Sequence, residues 1–298
     1  PAGLQDFFSC VTITVTCIGK EFSMAQANIP KIIHFCWFSP TPGAPYPELV
    51  QDCIDSWKKM LSDYTIMEWN ADNSNLQACD YVKEAYEAKK YAFVSDYVRL
   101  DALSHYGGIY LDTDVMVLRS FDPLLSHQAF AGLETSVSVG TCVIGSQPSN
   151  PLIQEMLEEY HKRHFLLPDG SFDTTPNPVL LTQLCRKQGL QLQNREQALK
   201  DIHIYPITYF CPFHSSRKEG NCFSDNTYSN HLFNGTWIDP ETKQMMLYTQ
   251  KFKQLLGEHV GGHLGAFLYR IQHDGLIKSI QTYYHKFQQA QVKKKQHR

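Results

Sequence analysis

The 298-residue sequence has no Cys-x-x-Cys pair among its nine cysteines, and that absence excludes a zinc ribbon or a dense disulfide framework. Cys36, Cys53, Cys142 and Cys185 stand in apolar stretches, where a thiol behaves as a small hydrophobe, as expected of reduced cysteines in a cytoplasmic protein. No run approaches the ~18 apolar residues of a membrane span. The longest candidate, Phe7 to Ile18, is broken by Ser and alternating Thr. It lacks a basic start and a small-residue cleavage site, so it reads as a β-strand rather than a signal peptide. Charge of one sign is scarce too. Lys+Arg 27 against Asp+Glu 30 leaves a net charge of -3, which excludes a general nucleic-acid binder. Disorder is excluded by 43% hydrophobic and 19% charged residues, the proportions of a chain that buries a core.

The charge asymmetry that exists lies at the end. After Asp274 come Lys278, Lys286, Lys293, Lys294, Lys295 and Arg298 with no acid among them, interleaved with Ile277, Ile280, Tyr283, Tyr284 and Phe287. A basic amphipathic tail behind an acidic body predicts peripheral contact with the inner face of a membrane. The alternative is that the apolar stripe packs on the body and the lysines are solvated.

Residues 1–28 differ in pattern from the rest of the chain and are expected to be an N-terminal extension or linker. From residue 29 onward, strand and helix patterns alternate. Lys31 to Phe38 is an apolar run closed by a Pro- and Gly-rich loop; Glu48 to Leu61 has the apolar spacing of an amphipathic helix; Tyr64 to Trp69 returns to alternation. Helices are expected over Leu76–Lys89 and Tyr91–Tyr106, then strands at Ile109–Leu111, Ala129–Gly132 and Gly140–Ile144. Helical patterns resume at Pro151–His164 and Val179–Gln188, with a strand near Ile202–Tyr205. This order argues for an α/β layered domain. Leu264 to Phe287 predicts two amphipathic helices split at Gly275.

The strongest local feature is Gly107-Gly108-Ile109-Tyr110-Leu111-Asp112-Thr113-Asp114. A buried strand runs directly into two carboxylates at i and i+2, which period two aims to one side. Such carboxylates repel each other unless a cation or a proton intervenes, and a hard divalent ion with oxygen ligands is the natural neutraliser. A solvated Asp-x-Asp turn is the plain alternative. Just upstream, Tyr91 to Leu100 is apolar on nearly every face except at Ser95, Asp96 and Arg99. Asp96 and Arg99, at i and i+3, form either a buried ion pair or a ligand grip.

These segments, together with Ile32-Ile33-His34-Phe35-Cys36-Trp37, resemble the family 32 glycosyltransferases. Those are the enzymes with a DxD-containing sugar-binding region in bacterial capsule and polysaccharide loci, related to yeast outer-chain mannosyltransferases and to the core of the large clostridial glucosylating toxins. The resemblance covers about residues 29–240 and leaves 241–298 as a helical, basic C-terminal extension. It implies a GT-A fold, a Rossmann-like α/β layer binding a nucleotide-sugar at the carboxyl ends of its strands. It implies a retaining, Mn²⁺-dependent transfer of a hexose, with Mg²⁺ as the alternative ion, from a UDP-sugar to a glycan or lipid-linked glycan. Residue by residue, Trp37 would stack on the base and Ser95 would lie near the nucleotide. Asp96 and Arg99 would hold the sugar hydroxyls, and Tyr110 would approach the ribose or diphosphate. Asp112 would contact ribose and reach the metal, while Asp114 would bind it directly. His231 would be a third metal ligand, with Thr236 and Trp237 over the diphosphate. Asp173 and Asn177 would contact sugar or acceptor, or cap a helix.

Three other readings stand beside this one. A haloacid-dehalogenase-like phosphohydrolase would use Asp112 as nucleophile and Asp114 as acid/base, but it needs a late Gly-Asp or Asp-Asp pair and the sequence has neither. A zinc hydrolase on His259 and His263 lacks the Glu after the first His, and Gly261-Gly262 predict a poor helix there. An inactive nucleotide-sugar-binding paralogue would keep the same motifs. The Asn-Gly-Thr sequon at Asn234 is read as a chance match.

Overall fold

The computed structural model describes residues 28–39, 41, 43–213, 221–235 and 240–276. The strand expected within Phe7–Ile18 and the tail beyond residue 276 lie outside them.

The apolar run after Ile29 forms β1 (Ile32–Cys36), followed by α1 (Glu48–Met60), β2 (Thr65–Trp69), α2 (Asp80–Glu87), α3 (Tyr91–Tyr106) and β3 (Gly108–Leu111). Next come β4 (Val115–Val117), β5 (Ala129–Thr135), β6 (Ser138–Ser146), α4 (Pro151–His161) and α5 (Asn177–Lys187). The chain continues through β7 (Gln197–Ala198), β8 (His203–Tyr205), α6 (Ile207–Phe210), β9 (Ser229–His231), α7 (Pro240–Leu256) and α8 (Glu258–Asp274). Seven strands make one sheet in the order β2-β1-β3-β6-β5-β8-β7. The β2-β1-β3 half is parallel, β6 runs antiparallel between β3 and β5, and β8 is parallel to β5. This is the α/β layered domain that the alternation of strand and helix patterns predicts. Near-continuous apolar strands such as β3, buried along its whole length, are what a sheet covered on both faces requires.

The junction of α3 and β3 is set by two glycines. Gly107 ends the helix at φ +62 and Gly108 follows at φ +103, a backbone region that L side chains rarely adopt. A Cβ on Gly108 would sit 2.6 Å from the Ile32 carbonyl oxygen and 2.9 Å from His34 Nε2. The bare backbone therefore lets β3 lie against β1 immediately after the helix. His34 locks the contact from beneath: its Nε2 donates to the Gly107 carbonyl at 2.7 Å while Nδ1 accepts from Trp69 Nε1 at 3.0 Å. Burial lowers the His34 pKa, which suits this neutral tautomer.

Most boundaries match the sequence reading within a few residues. The second helix starts later than expected, at Asp80 rather than Leu76, because the Asn75 side chain accepts from the Gln77 N–H and Cys79 is extended. The C-terminal helices need a larger correction. They turn at Gly257 (φ +83), not only at Gly275, and the whole of Glu258–Asp274 is one helix. Gly261 and Gly262 lie inside it, against the expectation that they would break it. The same helix packs closely on α7 at Gly265, where a Cβ would fall 2.8 Å from Thr249 Cα. The two-stranded sheet of β4 and β9 has no counterpart in the sequence reading.

Replacing Gly108 by Ala forces both a strained φ and a backbone clash, so about 3 kcal/mol of stability should be lost. Gly170 has a similar φ of +80 with nothing within 4 Å of its would-be Cβ, and its Ala variant should lose only about 1 kcal/mol. Urea midpoints of the two variants check this; equal shifts would show that the strand junction is not the constraint.

Candidate active site

Beyond Leu111 the chain leaves the main sheet through Asp112-Thr113-Asp114 and enters β4. The turn is fixed from three directions. The Asp112 N–H donates to the Cys142 carbonyl on β6 at 2.9 Å, Trp57 Nε1 of α1 donates to the Val115 carbonyl at 2.7 Å, and Ser56 Oγ accepts from the Val117 N–H at 3.0 Å. Strand β9 pairs antiparallel with β4 in a register that sets His231 opposite Val115. That register brings a histidine from far along the chain beside Asp114, with His231 Nε2 3.2 Å from Asp114 Oδ1. Asp114 Oδ2 also accepts from the Asn234 N–H at 2.9 Å. The ligand atoms of Asp112, Asp114 and His231 all lie within 4.8 Å of one another.

Arg99 connects this turn to α3. Its Nη1 lies 3.0 Å from Asp112 Oδ1 and donates to the Thr141 carbonyl at 2.9 Å; Nη2 lies 3.1 Å from Asp96 Oδ1; Nε donates to the Ser95 carbonyl at 3.2 Å. The guanidinium stacks on the Tyr110 ring at 4.3 Å, and the Tyr110 hydroxyl donates to Asp112 Oδ1 at 3.1 Å. The i, i+3 ion pair between Asp96 and Arg99 is thus real and buried, and the same arginine reaches the first carboxylate of the motif. Asp96 is anchored in turn by Asn177, whose Nδ2 donates to the Asp96 carbonyl at 2.7 Å and whose Oδ1 accepts from Tyr160 at 2.6 Å.

The electrostatics follow from these partners. Burial pushes the Asp96 carboxyl up to about 6, against the pull of Arg99. Burial alone would also raise Asp114, but the hydrogen bond and charge of His231 and the Asn234 N–H outweigh it and hold it below the usual carboxylate range. His231 goes the other way: despite burial, Cys142 and Asp114 raise its pKa well above the ordinary value. Two carboxylates and an imidazole with mutual distances of this size are the O/N donor set of a hard or borderline divalent ion. The residues therefore fit a bound divalent ion.

The structure brings together Asp96, Arg99, Tyr110, Asp112, Asp114 and His231. Trp37 lies at the carboxyl end of β1, edge-on to Tyr46 with ring centroids 5.3 Å apart. Ser95 bonds back to the Tyr91 carbonyl of its own helix at 3.0 Å. Other expected contacts are redirected. Asn177 is fully buried and holds Asp96 from behind, and Tyr110, 2% exposed, contacts Asp112 and Arg99. Asp173 is committed to Arg163, accepting from Nε at 2.9 Å and Nη2 at 2.7 Å; it does not cap α5, whose N-cap is Pro176. Thr236 and Trp237 fall outside the described residues. Sequence reading missed the supports Trp57, Thr141 and Tyr160, which carry no local motif. Arg99 and Tyr110 both engage Asp112 Oδ1, and its second oxygen is left for a ligand.

Residues 47–131 match the model of the glycosyltransferase sugar-binding region containing a DXD motif. The chain is 28% identical over 169 residues to mannosyl phosphorylinositol ceramide synthase SUR1 of Saccharomyces cerevisiae, covering 53% of this chain and 42% of the relative. It is 28% identical over 172 residues to inositol phosphoceramide mannosyltransferase 2 of Schizosaccharomyces pombe, covering 56% and 49%. Among solved structures, the PaToxG glycosyltransferase aligns at 18% identity and a TM-score of 0.42, over 54% of this chain and 70% of that one. The chain spans less than half the length of these two yeast relatives. The matched segment contains the motifs between Phe93 and Asp114 that carry the resemblance to these glycosyltransferases.

Asp96 must be ionised to hold Arg99. As pH falls through about 6 it takes up a proton, the ion pair is lost, and divalent-ion and donor binding should weaken. Carboxyl-carbon NMR of aspartate-labelled protein should show one resonance titrating near 6 that is missing from Asp96→Asn. A spectrum in which every aspartate titrates near its ordinary ~3.9 would refute the assignment.

Proposed function

We propose that this chain is a retaining, Mn²⁺-dependent hexosyltransferase that moves a sugar from a nucleotide-sugar to a hydroxyl of a lipid-linked or glycan acceptor. The observation that carries the reading is the convergence of Asp112, Asp114 and His231 beside the buried Asp96–Arg99 pair. The bound ion would neutralise the diphosphate charge that grows as the glycosidic bond breaks. Asp114 and His231 hold that ion's position directly, and Asp112 contributes the oxygen that Arg99 and Tyr110 leave open. Arg99 donates to the Ser95 and Thr141 carbonyls and ion-pairs with Asp96 and Asp112, so it faces the sugar from a fixed fork. Asp96 accepts a sugar hydroxyl beside it. Trp37 stacks on the base, a contact that any nucleobase satisfies. Thr236 and Trp237 are assigned to the diphosphate on the resemblance alone. Attack by the acceptor hydroxyl from the face the phosphate leaves needs no protein nucleophile, which suits a site whose carboxylates are all engaged.

The Ser-Asp-x-x-Arg helix favours a UDP-hexose. The names of the yeast relatives favour mannosyl transfer to an inositol-bearing lipid, and that is the second reading. A Mn²⁺-supplemented hydrolysis screen across nucleotide-sugars separates them. Turnover of UDP-hexoses is expected; turnover of GDP-mannose alone would replace the donor by the second reading, and turnover of none would reject the function. Asp114→Ala should abolish Mn²⁺-dependent donor binding by calorimetry, whereas Asp112→Asn should weaken it less.

We further infer that the helical end of the chain lies on an anionic membrane, where a lipid-linked acceptor resides. Leu247, Leu255 and Val260 are exposed on α7 and α8, and no acid accompanies the six basic residues that follow Asp274. Among the described residues no helix is long and apolar enough to cross a membrane, so surface contact is the mode considered. Each basic residue near the surface adds on the order of 1 kcal/mol. Deleting residues 288–298 removes four of them with almost no apolar surface, and should release the protein from anionic vesicles at low salt. Undiminished pelleting of the truncated chain would exclude the tail as anchor.

A further inference from the structure

Directly behind the Asp112–Asp114 turn lies a second cluster of ligand-bearing side chains that the transfer reaction does not use. Cys142 is on β6, one strand over from β3, and Cys211 follows α6. Their sulfurs are 3.5 Å apart, both residues are buried, and a His231 nitrogen completes a group whose ligand atoms lie within 4.8 Å of one another. His231 Nδ1 is buried and has no hydrogen-bond partner, an orphaned polar atom in an otherwise satisfied site.

We propose that Cys142, Cys211 and His231 form a second metal site, taking a thiophilic divalent ion of the zinc class, that shares its imidazole with the Asp112–Asp114 site. Two thiolates on one tetrahedral zinc stand about 3.8 Å apart, given Zn–S bonds near 2.3 Å, so the pair needs to open only slightly. Two cysteines and one histidine with an open fourth position are an established zinc donor set. The two clusters differ in softness. Carboxylate oxygens on one side of His231 favour Mn²⁺ or Mg²⁺, and thiolates on the other favour zinc. Without metal, the hydrogen bond with Cys211, and then burial, put the Cys142 pKa well above its ordinary value. Uptake of one Zn²⁺ therefore releases the thiol protons together with any proton carried by the coordinating His231 nitrogen, with no change of oxidation state. Because the Cys142 carbonyl also receives the Asp112 N–H, the soft site is joined to the DXD turn through both main chain and imidazole. Zinc there draws His231 from Asp114 and weakens the hard-ion site.

The metal binding does not rest on the transferase reading, and its test needs no turnover. The metal-free, reduced full chain is titrated with Co²⁺, a spectroscopic stand-in for zinc, and then with Zn²⁺. A thiolate-to-cobalt charge-transfer band in the near ultraviolet is expected, bleached by Zn²⁺. Cys142→Ser and Cys211→Ser should each lose the band, while Cys185→Ser, buried on α5, keeps it. Retained Mn²⁺ binding in the two serine variants shows that they fold. In the wild type, bound Zn²⁺ should weaken Mn²⁺ affinity at least about tenfold, an effect absent from Cys142→Ser. A band that survives in both serine variants, zinc binding abolished only by Asp114→Asn, or a reduced chain that takes no Zn²⁺ would each overturn the proposal.

Discussion

The fold and its site both depend on the buried guanidinium of Arg99. A lone charge at this depth would be very costly, and it is tolerated because Asp96 and Asp112 flank it, carbonyls of Ser95 and Thr141 take further N–H groups, and Tyr110 lies beneath its plane. Lysine would supply the charge without the planar fork, so it could not satisfy these partners together. The five partners come from α3, β3, β6 and the turn after β3. One side chain therefore fixes the helix, the sheet and the motif relative to each other.

That arrangement also explains why a cation is wanted beside it. Two carboxylates share one guanidinium, so the Asp96–Arg99–Asp112 group keeps a net negative charge when both acids are ionised. Asp114, a second carboxylate two residues on, is partly offset by His231. The residual charge faces the carboxyl ends of the strands, where an open α/β sheet presents its ligand crevice. The attraction is local: the described anions converge on one turn, while the chain as a whole is nearly neutral.

Much of this was legible in the sequence because it is local. The bounds of α3 follow from a continuous apolar segment ended by Gly107-Gly108, and the two aspartates follow from the strand that delivers them. What was not legible depends on contacts far apart in sequence. Strands β4 and β9 have three residues each, too short for a periodic signal, so the register that brings His231 to Asp114 could be expected only through the family resemblance. The Pro176-Asn177 dipeptide resembles an ordinary helix start, and only the folded chain shows Asn177 gripping Asp96 from behind. The glycines of α8 misled as well. Propensity disfavours them in an isolated helix, whereas this helix packs closely on α7 at Gly265.

The two aspartates of the motif are not interchangeable, and the asymmetry is built into their supports. Asp112 is held by side chains of the α3–β3 unit, Arg99 and Tyr110, so its orientation is fixed wherever that unit is folded. Asp114 is held by the other end of the domain, through His231 and the Asn234 N–H, so its geometry depends on how the β9 strand and the chain after it sit. The two carboxylates are therefore tied to different parts of the chain, the first to the α3–β3 unit and the second to β9 and the Asn234 backbone, although only Thr113 separates them in sequence.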